Sequence, residues 1–477
     1  MPDSTLYIDG EWTAAHASAT IPVIEAATGD PLGAVTEAGA EDVDRAVAAA
    51  VRARRGWAAT DPAERAAVLE RFADGIEKRG ERLAELVSRQ NGTPLVVSVQ
   101  GSVQAPAGLL RYYAALARAG FADERRAGLA FEGTVRLQRE PVGVVGAIVP
   151  WNFPVTLAVH KLAPALAAGC AVVLKPAPET SLDTSLLVEA AAEAGLPAGV
   201  LNVVTGGSAT GRALVAHPDV AKIAFTGSTA VGREIGAECG RALKPVTLEL
   251  GGKSAAIVLP DADLAAVLPG LAFLSFVNSG QSCFLNSRVL APRARYDEIV
   301  EGLAGVARSF AIGDPLDPST TMGPLVSERQ RARVEEYVAA GRAEGARVVT
   351  GGGRPDGFDR GWYVEPTVFA DASNSMRVAR EEIFGPVVCV LPYDTEDEAV
   401  AIANDSDYGL AGSVWSADPE HALAVASRVE TGTIGVNMWT PDPGSPFGGW
   451  KSSGLGSELG PEGLASYQRI RSVYVPS

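Results

Sequence analysis

The chain has 477 residues, long for a single core, and its length points to two or more domains. It is 47% hydrophobic and 21% charged, the balance of a water-soluble globular protein. Its 57 acidic residues outweigh 41 basic ones for a net charge of -16, which argues against a nucleic-acid or anionic-membrane partner, since either wants a basic face.

The four cysteines, at 170, 239, 283 and 389, are widely spaced without a C-x-x-C. That pattern argues against a disulfide framework or a zinc ribbon and for reduced thiols in a cytoplasmic protein. The first residues show no basic stretch followed by an apolar core, so no secretory signal is expected. No apolar run is long enough to span a bilayer.

Residues 5 to 40 read as short strands broken by Gly10, Gly29 and Gly33. Glu41-Asp-Val-Asp opens a helix with an acidic first turn. Two further helices are expected, about 61–90, stopped by Asn91-Gly92, and about 97–119. Residues 126–140 look like a hairpin leaving the body. From Pro141 strands and helices alternate: strand 142–149, helix 156–168, strand 171–174, helix 181–194, strand 200–204, strand 223–225. This alternation predicts an α/β fold with a doubly wound parallel sheet, whose ligand lies past the carboxyl ends of the strands. After Ser254 a second alternating set runs to about 440, with strands near 255–258, 288–291, 387–391 and 433–436.

Several stretches carry chemistry. Phe225-Thr-Gly-Ser-Thr-Ala-Val-Gly232 follows a strand and opens a helix, where free amides suit a pyrophosphate, although it is not G-x-G-x-x-G and a plain strand-to-helix turn explains it equally. Lys175 ends a buried strand, a place for capping the sheet or touching a ligand. Asn152, between prolines in Pro150-Trp-Asn-Phe-Pro154, is either a turn residue or an oxyanion donor. Thr247-Leu-Glu-Leu-Gly-Gly-Lys-Ser254 puts the carboxylate of Glu249 before paired glycines, and Phe276-Val-Asn-Ser-Gly-Gln-Ser-Cys283 puts a thiol behind Gly-Gln-Ser. A lone Cys is commonly a small buried hydrophobe. With only His16, His160, His217 and His421 in the chain, and no papain-like or caspase-like string, a Cys–His hydrolase is disfavoured.

These strings, with Glu381-Glu-Ile-Phe-Gly-Pro386, Asn437 and Pro446-Phe-Gly-Gly-Trp-Lys-Ser-Ser-Gly454, resemble the aldehyde dehydrogenase superfamily, in its NAD(P)-dependent hydrolytic form. The likeness runs in unbroken order from about Leu6 to Val475. It implies two doubly wound domains and an oligomerisation arm. Residues 1–121, 140–248 and 445–467 would form the dinucleotide-binding domain, and 249–444 the catalytic domain. The arm would comprise 122–139 and 468–477, pairing between subunits of a homodimer or homotetramer.

By the same resemblance Cys283 is the nucleophile, Asn152 with the Cys283 N–H the oxyanion hole, and Glu249 the base that hydrolyses the thioester. Lys161 and Glu458 correspond to a proton-relay pair, and a salt bridge in the wall explains them equally well. Cofactor contacts are implied for Val149, Pro150, Trp151, Lys175, Glu179, Gly207, Phe225, Gly227, Ser228, Leu250, Gly251, Glu382 and Phe384. Pro178 stands where NAD-preferring members usually carry Glu, with Glu179 one place later, so NAD is the expected cofactor and NADP the alternative. No residue calls for a metal. Phe153, His160, Val277, Phe284, Trp439 and Phe447 would line a mostly apolar substrate tunnel. The expected reaction is oxidation of a hydrophobic aliphatic or aromatic aldehyde to its acid. Semialdehyde oxidation and coenzyme-A acylation are the alternatives among enzymes, and a catalytically idle binding protein on this fold is the alternative outside them.

Overall fold

The computed structural model describes residues 5–16, 19–120 and 124–476. Residues 1–4, 17–18 and 121 of the expected first domain, and 122–123 and 477 of the expected arm, lie outside the described residues.

Five short strands build the first parallel sheet: β1 (Val144–Ile148), β2 (Ala171–Lys175), β3 (Leu201–Val203), β4 (Lys222–Thr226) and β5 (Val246–Glu249). Every residue of β1 to β4 is buried, as expected for strands covered on both faces. Their order is β3-β2-β1-β4-β5, extended by antiparallel strands Thr5–Ile8 and Glu11–Ala14 beyond β3 and Gly454–Leu455 beyond β5. The chain winds outward from β1 to β3, then returns to start β4 on the other side of β1. A crevice therefore opens past the carboxyl ends of β1 and β4.

Six parallel strands form the second sheet: β6 (Ala255–Val258), β7 (Arg288–Pro292), β8 (Thr367–Ala370), β9 (Val387–Tyr393), β10 (Gly412–Trp415) and β11 (Gly435–Val436). They run in the order β8-β9-β7-β6-β10-β11, with Arg347–Thr350 antiparallel at the outer edge of β8. The expected strand at 433–436 shrinks to its last two residues. β8 (Thr-Val-Phe-Ala) and β10 (Gly-Ser-Val-Trp) escape a sequence reading because polar or glycine positions leave only two or three apolar residues, too few to separate strand from loop.

Helix 40–59 starts on Gly39, whose N–H donates to the Asp42 carboxylate at 3.1 Å. The single helix expected over 61–90 is two, Pro62–Lys78 and Gly80–Asn91. The break at Arg79 brings Gly80 against Val103, a site with room for little beyond hydrogen. Gly92 at φ +84° stops the second of them. The following helix begins two residues earlier than expected, at Leu95, and reaches Ala119 through a π-helical turn over Gln100–Gln104. That turn presents a carbonyl at Gly101, which accepts from the Thr156 hydroxyl, and seats Gly101 on the Phe153 ring. π-turns inside helices are frequent at functional sites.

The arm is a hairpin, Glu124–Ala127 with Gly133–Pro141, and the tail Gln468–Pro476 pairs with its second strand over nine residues. Hairpin and tail join within one chain, because the chain enters the arm from Tyr467 beside Pro141. The outer edge of the tail has no partner strand among the described residues, and Ile470 and Tyr474 on it are exposed.

Candidate active site

Cys283 is presented by a turn in an uncommon conformation. Asn278 and Ser279 hold φ of 54° and 55°, and Gly280 follows at 77°. Left-handed backbone at non-glycine residues persists only where the surroundings enforce it. Here Asn278 Oδ1 accepts from Thr93 Oγ1 at 2.7 Å, Asn278 Nδ2 donates to the Asn152 carbonyl at 2.9 Å, and Ser279 Oγ donates to the Gly323 carbonyl at 2.8 Å. Gln281 Oε1 accepts from the Val326 N–H at 2.9 Å. A Cβ on Gly280 would run into the Gly385 carbonyl.

Asn152 is buried, and its Nδ2 donates to the Gln281 carbonyl at 3.0 Å, two residues before the thiol. An amide has two N–H donors, so one remains for a ligand oxygen. Asn91 Nδ2 fixes the Asn152 carbonyl at 3.1 Å. Asn91, Thr93, Asn278 and Gln281 thus hold nucleophile and donor in register, and the sequence reading assigned none of them a role. The signal was present in Asn-Ser-Gly before Cys, since Asn and Gly tolerate the left-handed region. Burial, with the Glu382 and Glu249 carboxylates, holds the Cys283 thiol above its ordinary range, and its own backbone N–H pulls the other way. Cys283 is half-buried, whereas Cys170, Cys239 and Cys389 are buried.

Glu249 ends β5 opposite Thr226 of β4. It is 3% exposed, and neither carboxyl oxygen has a hydrogen-bond partner among the described residues. Burial, then the charge of Glu458, raise its pKa well above the carboxylate range, and Lys161 opposes them. Lys161 projects from helix α1 (Pro154–Ala168), with Nζ 2.6 Å from Thr226 Oγ1 and 2.7 Å from Glu458 Oε1. Glu458 Oε2 lies 3.4 Å from His160 Nδ1. Burial pushes the Glu458 carboxyl up, but Lys161 and His160 together outweigh it and hold it below the usual range. Two buried carboxylates in one cluster are thereby pushed apart, one kept charged and one able to exchange a proton, which is the pattern of an acid–base site. His160, expected in the substrate tunnel, is engaged with Glu458.

The expected cofactor residues gather along the carboxyl ends of the first sheet. Val149, Pro150 and Trp151 follow β1, and the Val149 N–H donates to the Lys175 carbonyl at 3.1 Å. Lys175 Nζ donates to the Pro176 carbonyl at 3.0 Å, and burial lowers its pKa to about 8 against the pull of Glu179. Gly207 caps helix Ser208–Ala216. Phe225 lies on β4, the Gly227 N–H donates to the Glu249 carbonyl at 3.0 Å, and Ser228 caps helix α2 (Thr229–Arg241). The amides at the start of α2 suit a pyrophosphate. Leu250 is pinned through its N–H to the Ser453 carbonyl at 2.9 Å. From the second sheet's side, Glu382 Oε1 accepts from the Gly252 N–H at 3.0 Å, beside Gly251. Phe384, at φ +65°, meets Trp151 edge-on with centroids 5.3 Å apart. Pro178 opens a single 3-10 turn to Thr180, and Glu179 points toward Arg329, 3.4 Å away.

Phe284, Trp439 and Phe447 form one aromatic wall, with successive centroids 4.8 and 6.2 Å apart. Val277, Cys283 and Phe447 pack against the same apolar cluster. Phe447 is also paired with Glu458 through two backbone hydrogen bonds of 2.7 Å, which links wall and carboxylate. Phe153 stands at the start of α1. No Lys or Arg belongs to the wall. Among the described residues no group of three or more His, Cys, Asp or Glu is placed to hold a metal ion, and no helix is long and apolar enough to cross a membrane.

A thiol on a braced turn, an amide beside it and a buried carboxyl base, all at the switch point of a doubly wound sheet, define a thiol-dependent oxidoreductase architecture. The sequence profile of the aldehyde dehydrogenase family matches residues 12–473, and the chain belongs to that family. Geranial dehydrogenase of Castellaniella defragrans is 53% identical over 472 residues, covering 98% of each chain. Phenylacetaldehyde dehydrogenase of Pseudomonas fluorescens is 43% identical over 479 residues, covering 98% of this chain and 95% of its own. The crystal structure of a Mycobacterium tuberculosis aldehyde dehydrogenase complexed with NAD+ superposes with a TM-score of 0.97 at 49% identity, covering 99% of this chain and 98% of that one.

Proposed function

We propose that this chain oxidises a hydrophobic aldehyde to its carboxylic acid with NAD as hydride acceptor. The observation that carries the reading is the convergence of Cys283, Asn152 and an unpartnered, buried Glu249. The relatives named for geranial and phenylacetaldehyde, and the neighbour complexed with NAD+, support the substrate class and the cofactor. The crevice fits a dinucleotide: Ser228 and the α2 amides would hold the pyrophosphate, Lys175 the adenosine ribose, and Glu382 the nicotinamide ribose. Residues 1–121, 140–248 and 445–467 would then serve the cofactor and 249–444 the chemistry. The free edge of the tail has a physical motive to dock on a second copy, as a homodimer or homotetramer in the cytoplasm.

In this mechanism the Cys283 thiol gives its proton to water, the thiolate attacks the aldehyde carbon, and the free N–H of Asn152 with the Cys283 N–H stabilises the alkoxide that develops. The bound nicotinamide supplies the hydride acceptor. Glu249 then takes a proton from water as the water attacks the thioester, and the acid leaves. Hydrolysis is favoured over transfer to coenzyme A because Glu249 is present and sits in the thiol's own cluster.

Two measurements test the specificity. NAD is expected to give the higher kcat/KM, with NADP retained within about a hundredfold, because Glu179 is drawn toward Arg329 and does not fully guard a 2′-phosphate. NADP preferred over NAD would reverse the assignment. On the acyl side, octanal or phenylacetaldehyde should exceed succinate semialdehyde by about a hundredfold in kcat/KM, since an unpaired carboxylate against the aromatic wall costs about 3 kcal/mol. Strong activity on succinate semialdehyde beside weak activity on octanal would refute a hydrophobic substrate.

A further inference from the structure

The buried polar groups around Glu249 continue beyond Glu458. Alternate residues of a strand share a face. The register sets Thr226 opposite Glu249 and Ala224 opposite Thr247, so Lys222 and Thr226 on β4 lie on one face with Thr247 and Glu249 on β5. Lys222 Nζ donates to Thr247 Oγ1 at 2.7 Å and stands 5.0 Å from the centroid of the Tyr467 ring. It is 2% exposed and makes no ion pair among the described residues. The Tyr467 hydroxyl is itself buried without a partner there.

A structural salt bridge does not explain this lysine, because its close partner is a hydroxyl. Nor does packing, since an apolar side chain would fill the site without the desolvation cost of an ammonium. The groups that face it are Glu458, Cys170, Lys161, Cys239 and Tyr467, and Glu458 is the one carboxylate among them. Burial lowers its pKa to about 8, which brings the neutral amine within reach near working pH. Both Glu249 oxygens and the Tyr467 hydroxyl are buried without a hydrogen-bond partner among the described residues.

We propose that Lys222, held by Thr247, is a positioning residue for the hydrolytic half-reaction and the distal proton acceptor of the Glu249 cluster. The inference rests on the hydrolytic reading above. In that step water loses a proton to the Glu249 carboxylate, the new C–O bond forms, the C–S bond breaks, and the sulfur leaves as thiolate. The protonated Glu249 must be emptied before the next turnover. Its proton passes by way of water and the Lys161–Glu458 pair to the neutral amine of Lys222, which becomes the ammonium and later returns the proton to solvent.

The test compares wild type, Lys222→Met and Thr247→Val with saturating NAD and octanal, reading first-turnover NADH formation, steady-state kcat and KM, and kcat against pH. For Lys222→Met the first-turnover rate and KM should stay within about twofold while kcat falls about tenfold, the scale of one lost proton-transfer partner. The acid limb of kcat, set in the wild type by the need for a neutral Lys222, should flatten or move to lower pH, because the group whose protonation closes the route is gone. Thr247→Val, nearly the same shape, should show the same split more weakly. Folded variants with wild-type kcat and pH profile would overturn the role, as would a first-turnover rate falling in step with kcat, which would mark a packing defect. A wild type that turns over hydrophobic aldehydes alongside unaffected variants removes Lys222 alone. A wild type inert toward every aldehyde tried removes the proposed function and this inference with it.

Discussion

Replacing Cys283 by Ala is expected to abolish aldehyde oxidation, with kcat down by about 10⁴-fold or more, while the chain still folds and still binds NAD. The size follows from what the thiol does. A group that forms the covalent intermediate leaves, when removed, the residual catalysis of binding and oxyanion stabilisation alone. No other cysteine substitutes, because Cys170, Cys239 and Cys389 are buried. Folding survives because the turn is held through Asn278, Ser279 and Gln281, none of whose bonds uses the sulfur. Ala also removes a thiol that burial and two carboxylates already disfavour as an anion, so no charge interaction is lost from the resting state. Steady-state NADH formation, a cofactor titration and circular dichroism on the same preparation check all three parts. Turnover within tenfold of wild type would exclude Cys283 as the nucleophile.

The parallel strands were legible because burial on both faces writes them as unbroken apolar runs between turn residues, as in Ala171–Lys175 and Ala255–Val258. β8 and β10 were not, because Thr367, Gly412 and Ser413 shorten their apolar runs and their place is set by pairing with β9 and β6. The break at Arg79 was equally hidden, since it accompanies a close approach of Gly80 to Val103 that only the fold brings about. For the site, Cys283, Glu249 and Asn152 stood out because each sits in a long, specific string. Their supports did not: Asn91 and Thr93 belong to a helix end whose sequence reads as an ordinary stop, and only the fold brings them to residues 152 and 278. The approach of His160 to Glu458 was hidden for a related reason. His160 lies seven residues from Phe153, hence on the same helix face, but Glu458 arrives beside it from the other end of the chain.

Glu249→Gln separates the two half-reactions. The amide keeps the shape of the side chain but accepts no proton, so the first turnover of NADH formation should remain within a few-fold of wild type. Steady turnover should fall by about 10²- to 10³-fold, the usual range for a lost general base. Acyl-enzyme should accumulate and be visible as added mass on Cys283. The same substitution should stabilise the fold, and the sign follows from linkage. Burial raises the folded pKa of Glu249 above its unfolded value, so as pH rises the unfolded chain ionises first. Stability is therefore lost from the ordinary carboxylate range upward, until the folded group ionises as well. Gln carries no charge to be forced into a site where neither oxygen has a partner, and at pH 7 to 8 it should gain about 1–2 kcal/mol. At pH 3, where the wild-type carboxyl is neutral in both states, the gain should vanish. Lys161 bears on the outcome in one direction only: its Nζ is satisfied by Thr226 and Glu458, so neutralising Glu249 breaks none of its bonds. Loss of the first turnover together with steady turnover would instead place Glu249 at the activation of Cys283. A stability gain that persists at pH 3 would show that the carboxylate charge is not what destabilises the wild type.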